Sequence, residues 1–83
     1  MHDRSFDKLA TAVRARREVV GLKQVELAEL ARCSTRFVHM VEAGKTTVRL
    51  DKLLDLLSVL GLGLQVVLGA RLGVADTLTK GRG

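Results

Sequence analysis

Several side chains suited to hydrogen bonding and ionic contact lie in the middle of the chain, from Gln24 to Arg49. The planar guanidinium of Arg36 can donate two parallel hydrogen bonds, either to O6 and N7 of a guanine or to a phosphate. Thr35 can offer a hydroxyl or a methyl group to a base edge, and Met40 can make an apolar contact with a thymine methyl. These residue types indicate recognition of bases and phosphates.

The overall charge also suits a polyanionic partner. The chain has 83 residues and a formal net charge of +5, and its pI is about 10.2. A pI above about 9 in a small domain is one mark of nucleic-acid binding. A membrane surface is the rival partner, but the chain has no Trp or Tyr to act as interfacial anchors. No apolar run approaches the roughly 20 residues that span a bilayer. We therefore expect a soluble, cytoplasmic protein.

Catalytic chemistry finds little support in the sequence. There is no paired carboxylate, nucleophile triad or cluster of metal-ligating residues, so we expect no enzyme activity, no cofactor and no metal. Cys33 is the only cysteine, and we expect it to fill a small apolar gap. His39 is isolated from other ligands and is either a neighbour of a phosphate or a solvated residue.

The spacing of apolar residues and the positions of glycines predict the helices that must position these side chains. Ser5 is the expected N-cap of the first helix, and Ser34 is the expected N-cap of the third. Gly21 and Gly44 are expected to end helices in the C′ position. Since α-helical spacing recurs four times, the fold class is all-α, with helices predicted over residues 5–20, 24–31, 35–43 and 50–60.

After Gly61 the apolar period changes from helical to two, which indicates a β-strand. Leu62, Leu64, Val66 and Leu68 share one side of this strand. No second strand is predicted, and a lone strand cannot satisfy its own backbone, so we expect it to pair across a dimer. The fourth helix has too many leucines for one narrow stripe, which favours a second buried side against a partner. The predicted organisation is a DNA-binding domain over 1–61, a dimerisation strand over 62–69 and a flexible tail over 70–83.

The second and third helices are short and are joined by the tight turn from Arg32 to Ser34, which is typical of a helix-turn-helix. Ala28 is small enough for the third helix to cross the second closely. Val38 and Val41 are expected to face inward, which leaves an outward set that can reach base edges in the major groove. Phe37 is expected either to pack at the edge of the core or to contact DNA.

The stretch from Val13 to Lys45, with "GLKQVELAELA" followed by "STRFVHMVEAGK", resembles the Xre/Cro family of phage and bacterial repressors. The similarity covers about residues 5–60. The ending "LSVLGLGLQVVLG" looks like that of the HipB-type antitoxins. This resemblance implies a lambda-repressor-like bundle of four to five helices, with one C-terminal strand that pairs across the dimer. In two places the chain departs from the family, since Arg32 replaces a glycine and Ala43 replaces an asparagine. A positive φ at Arg32 would cost on the order of 1 kcal/mol.

The resemblance also implies roles for several polar residues. Gln24 would hydrogen-bond a phosphate, although a solvated glutamine is the alternative. Arg17 and Glu42 would form a buried structural ion pair, the alternative being two separate surface charges. The loop after the third helix would hold phosphates or be merely a polar loop. The predicted phosphate-binding set is Gln24, Ser34, His39, Lys45, Thr46 and Arg49, and the predicted base-reading set is Thr35, Arg36 and Met40.

These observations predict a dimeric repressor that binds an inverted-repeat operator in double-stranded DNA. Through the HipB-type ending, they further suggest the antitoxin of a toxin–antitoxin pair, with a HipA-like kinase toxin as its partner. The alternatives are a stand-alone regulator of the Xre family and a protein-interaction module without a toxin partner.

Overall fold

The computed structural model describes residues 4–66, which form four α-helices and no strand. The all-α class is therefore confirmed for this part of the chain, and the arrangement is consistent with a helix-turn-helix bundle. Ser5 lies inside the first helix, so its prediction as the N-cap is wrong: Arg4 already belongs to the helix. In chain order the helices are α1 (Arg4–Val19), α2 (Gln24–Ala31), α3 (Thr35–Glu42) and α4 (Leu50–Val59).

One apolar core holds the four helices together. Helix α2 packs against both α3 and α4, and α1 packs against α3. Val38 and Val41 of α3 are buried, as their spacing predicts. The buried apolar side chains of the core cluster are Val13, Leu27, Ala28, Ala31, Val38, Val41, Leu53, Leu56, Leu57 and Leu60.

Helix α4 presents two different sides. Leu53, Leu56 and Leu57 are buried in the core. Leu50 and Leu54, one turn apart, are 59% and 44% exposed. The core side of α4 is therefore buried as expected, and burial of its second side against a partner stays a prediction.

The turn between α2 and α3 depends on a left-handed residue that is not glycine. Arg32 has φ 58° and ψ 44°, and its amide donates to Glu29 O at 3.3 Å. The Cys33 amide donates to Ala28 O at 3.0 Å, and Lys52 of α4 donates from Nζ to Arg32 O at 3.3 Å. The Cβ of Arg32 makes this conformation cost about 1–2 kcal/mol more than it would cost a glycine. Arg32 thus takes the left-handed conformation in this turn although it is not a glycine.

Gly44 ends α3 at a place where a side chain would not fit easily. Its φ is +76°, and a Cβ built on it would lie 3.0 Å from Asp7 Oδ1. The glycine therefore allows both the left-handed conformation and the close approach of α1 to this corner.

The chain leaves α4 through a turn that α1 anchors. Arg16 Nε donates to Leu60 O at 2.8 Å, and the Leu62 amide donates to Leu57 O at 2.8 Å. Leu62 is half-buried against the core, whereas Leu64 and Val66 are 51% and 98% exposed. Residues 62–66 form no strand within the single chain. The rest of the predicted strand, which includes Leu68, and the predicted tail over 70–83 lie outside the described residues.

Candidate nucleic-acid interface

Helix α3 separates a buried apolar side from an open polar side. Arg36 and His39 are exposed, and Thr35 and Met40 are half-buried. These four positions repeat at helical spacing, so they share the side of α3 opposite to the buried valines. The structure thus brings together on one surface the three residues predicted to read bases, with His39 beside them.

The start of α3 is held by the side chain that the sequence predicts. Ser34 has extended backbone angles, and its hydroxyl oxygen accepts a hydrogen bond from the Phe37 amide at 3.0 Å. Its carbonyl accepts from the Val38 amide at 3.3 Å. The first amides of a helix have no carbonyl partner within it, and they favour a negative charge nearby. The hydroxyl of Ser34 is therefore already used in capping, while the helix terminus beside it favours an anion.

Glu42 is the centre of a buried polar network beneath this surface. Its side chain is 1% exposed, and Arg17 binds it through Nε at 2.6 Å from Oε2 and through Nη2 at 3.1 Å from Oε1. Arg17 also donates from Nη1 to Leu22 O at 2.9 Å. This bidentate pair ties the end of α1 to the end of α3.

The electrostatics of the pair follow from these contacts. Burial alone raises the pKa of the Glu42 carboxyl, but hydrogen bonds from Arg17 and Gln24, together with the Arg17 charge, outweigh burial and hold the pKa below its ordinary value. The hydrogen bond to Glu42 raises the pKa of Arg17. Both groups are therefore ionised at neutral pH.

Gln24, the predicted phosphate ligand, is joined to this network. Its Nε2 donates to Glu42 Oε1 at 3.0 Å, and its side chain is half-buried. An amide nitrogen has two N–H groups, so the second N–H remains for another acceptor. The Glu42 carboxylate can only accept hydrogen bonds, so the Gln24 side chain must point its Nε2 towards Glu42. This orientation also determines the direction of the second N–H of Gln24. Spacing in the sequence does not reveal this contact, since 18 residues separate its partners.

The loop after α3 is exposed at Lys45, Thr46 and Arg49. Arg49 is engaged with a neighbour: Nη2 lies 2.7 Å from Asp51 Oδ2, and Nε lies 3.2 Å from Asp51 Oδ1. Hydrogen bonds from Arg49 and from the Lys52 amide lower the pKa of Asp51. Both side chains are largely exposed, and exposed pairs of this kind are weak. A phosphate could therefore compete with Asp51 for Arg49.

Three cationic residues near this surface were outside the predicted site. Arg14 is 59% exposed and its Nε lies 3.5 Å from Glu42 Oε1. Arg32 and Lys52 lie beside Ser34 and Arg49 around one cleft. Only the fold could reveal Arg14 beside Glu42 and Lys52 beside Ser34, because these partners are distant in sequence, whereas Arg32 is two residues from Ser34.

Phe37 and Cys33 are half-buried and pack against the core, so Phe37 lies at the edge of the core. Burial raises the pKa of the Cys33 thiol, with Asp55 adding to the effect and Lys52 opposing it. The thiol is therefore protonated at neutral pH, which does not favour nucleophilic chemistry.

Two further observations limit the chemistry of residues 4–66. No three His, Cys, Asp or Glu side chains come together in this range as metal ligands. None of its helices is both long enough and apolar enough to cross a membrane.

Comparison with known proteins identifies the domain type. A family model described as a helix-turn-helix domain matches residues 8–68, which is most of the chain. No curated protein matches the chain. The family match spans all three elements that carry the predicted site: α2, α3 and the loop that follows α3.

Proposed function

Because the chain belongs to the helix-turn-helix domain family, whose fold binds DNA, we propose that it is a sequence-specific transcriptional repressor acting as a homodimer. The observation that carries this proposal is the surface of α3. Its apolar side is buried in the core, its N-terminus is capped by Ser34, and its outer side presents Arg36. A rigid helix with an exposed arginine suits the reading of base edges in the major groove.

The dimensions of α3 are compatible with this role. Eight residues span about 12 Å at 1.5 Å per residue. The major groove is about 12 Å wide and admits one helix, whose N-terminal residues contact the bases. In our proposal Thr35, Arg36 and Met40 contact bases. The residues that contact phosphates are Gln24, Ser34, His39, Lys45, Thr46 and Arg49.

For Ser34, whose hydroxyl caps the helix, we propose a contact through that same oxygen as a donor. A serine hydroxyl can accept from the Phe37 amide and still donate its own proton to a phosphate. For Gln24 the donor is the second N–H of the amide that Glu42 orients. Both residues thus act while their structural hydrogen bonds stay in place.

Exposed apolar surface supports the dimer. A groove of about 320 Å³ is lined by side chains of α1, the α3–α4 loop, α4 and Leu64, and they are almost entirely apolar. Leu50, Leu54 and Val66 are exposed in the single chain as well. We propose that residues 62–69 pair with the same residues of a second copy and that α4 joins the interface. Two recognition helices about 34 Å apart would then read an inverted repeat.

The sharper form of the proposal is an antitoxin that represses its own operon with a kinase-like toxin as partner. It is supported by the resemblance of the ending "LSVLGLGLQVVLG" to HipB-type antitoxins. The neighbouring gene tests it, because a kinase-like reading frame beside this gene is what an antitoxin requires. A neighbour that the protein does not retain in a pull-down after co-expression would leave a stand-alone regulator.

A gel shift at several salt concentrations tests DNA binding itself. We expect affinity for duplex DNA to fall steeply between about 50 and 200 mM salt, because bound phosphates release counterions. The alternative of a protein-interaction module predicts no binding to any duplex at low salt. Glu29→Gln on the exposed side of α2 serves as a control that should leave binding intact.

A further inference from the structure

A cationic cleft lies beside the proposed DNA-binding surface. Its volume is about 350 Å³, and it is lined by Arg32, Cys33, Ser34, Phe37, Arg49 and Lys52. Three separate elements contribute to it: the turn between α2 and α3, the start of α3, and the start of α4. Three of its six lining residues are cations, so its chemistry suits an anion.

The positive charge of the cleft is only partly neutralised. Asp51 pairs with Arg49 through two hydrogen bonds. Among residues 4–66, no carboxylate forms an ion pair with Arg32 or Lys52. Asp55 acts on the Cys33 thiol at the same place and offsets part of the charge. Lys52 binds Arg32 O through Nζ, but an ammonium group has three N–H donors and keeps two for a ligand.

The conformation of Arg32 supplies a second, independent argument. Arg32 is the one non-glycine residue among residues 4–66 with positive φ. A glycine there would be less strained, and nothing in the packing requires a large side chain, since Arg32 is exposed. A strained residue of this kind suggests that its side chain serves a function.

We propose that this cleft binds one phosphate of the DNA backbone, with Arg32 and Lys52 as its ligands beside Arg49. The inference rests on the proposed function and extends it to two residues outside the predicted site. Ser34 and Arg49 are among the lining residues of the cleft. A DNA strand that contacts these two residues therefore lies next to the opening of the cleft. The two cations hold the backbone in register, and they carry no base preference.

The test is the salt dependence of DNA binding by the full chain, measured by fluorescence anisotropy. One phosphate contact contributes about 0.9 to the slope of log K against log salt. We expect the double variant Arg32→Gly/Lys52→Gln to lose about 0.9 of the slope, and each single variant to bind more weakly than the wild type. The matched control is Lys8→Gln, an exposed lysine on α1, which should keep the wild-type slope.

Arg32→Gly separates binding from folding. Glycine takes the left-handed conformation without a Cβ penalty, so this variant should melt at a higher temperature than the wild type while binding DNA more weakly. A residue with a purely structural role would not move the two measurements in opposite directions. Lys52→Gln gives a second readout that does not depend on the backbone of the turn.

The outcomes distinguish the cleft from the proposed function. Wild-type DNA binding with an unchanged slope in the double variant overturns the cleft alone. A wild type that binds no DNA overturns the proposed function and, with it, the DNA phosphate as the ligand. Exchange of chloride for inorganic phosphate at equal ionic strength should weaken DNA binding more in the wild type than in the double variant, because free phosphate competes with the DNA backbone for the cleft. An equal change in the two proteins would contradict a DNA phosphate in the cleft.

Discussion

Replacing Arg17 with methionine tests the network that holds the recognition helix. The change removes two hydrogen bonds to Glu42 and one to Leu22 O, and it leaves a carboxylate that is 1% exposed. Gln24 still donates to it, and Arg14 lies 3.5 Å away. Removing one partner of a buried pair typically costs about 3–5 kcal/mol.

The fold can limit this cost by protonating Glu42. Taking up a proton at pH 7 on a carboxyl with an ordinary pKa of about 4.3 costs about 3.7 kcal/mol, and at pH 5 it costs about 1 kcal/mol. We therefore expect Arg17→Met to lose about 3–4 kcal/mol of unfolding free energy at pH 7. In a domain of this size the melting temperature should fall by roughly 12–30 °C.

The pH dependence has a definite sign. In the wild type the Glu42 pKa is lowered by folding, so its stabilisation is present above the ordinary pKa and is lost only as pH falls through the lowered value. In the variant we expect Glu42, left without Arg17, to have a raised pKa. The loss of unfolding free energy caused by its buried charge should therefore decrease as pH falls. The gap in melting temperature between the two proteins should therefore narrow from pH 7 to pH 5.

Thermal denaturation followed by circular dichroism at both pH values measures this gap. Arg49→Met is the matched control, because its pair with Asp51 is exposed and should hardly affect the melting temperature. The double variant Arg17→Met/Glu42→Gln should be more stable at pH 7 than Arg17→Met alone, since it strands no charge. A wild-type melting temperature in Arg17→Met, or a gap that is constant with pH, would refute the reasoning.

Four further outcomes are expected. Arg36→Ala should relax preference at one base position and cost about 1–3 kcal/mol there if Arg36 binds guanine, whereas Lys45→Ala should weaken binding to all sequences alike; a panel of single-base operator variants distinguishes the two patterns. Gly44→Ala should lower stability by about 1–2 kcal/mol in chemical denaturation because its φ is +76°, while Gly63→Ala, with no atom near its Cβ, should not. Val66→Asp should shift the dimer towards monomer in analytical ultracentrifugation at micromolar concentration, and an unchanged dimer would restrict the interface to α4. If residues 70–83 bind a toxin, a chain ending at residue 69 should retain less of the neighbouring gene product than the full chain in a pull-down, and equal retention would exclude that role.

The sequence predicted the helix ends well where a capping residue or a helix-ending glycine marks them. Ser34 and Gly44 mark the ends of α3, because a serine cap and a positive-φ glycine are local properties of the chain. The start of α1 was misplaced at Ser5, since a capping residue type does not by itself determine where a helix begins. The alternation after Gly61 suggested a strand, but a strand requires a paired backbone, and residues 62–66 have no such partner among residues 4–66.

Only part of the candidate site could be predicted from the sequence. The outer residues of α3 follow from helical period, and the Arg17–Glu42 contact follows from family resemblance. The hydrogen bond from Gln24 to Glu42 and the position of Lys52 beside Arg32 depend on how three helices pack. Such contacts between distant elements have no periodic pattern in the sequence.

The most direct test of sequence-specific binding through α3 is selection of duplex DNA from a random pool by the wild-type protein and by Arg36→Ala. We expect the wild type to enrich an inverted repeat whose half-site centres lie about 10 base pairs apart, one turn of the helix. Arg36→Ala should enrich a repeat with one base position relaxed in each half-site. Failure of the wild type to enrich any motif at low salt, or identical motifs for the two proteins, would contradict the reading of bases by Arg36 on α3.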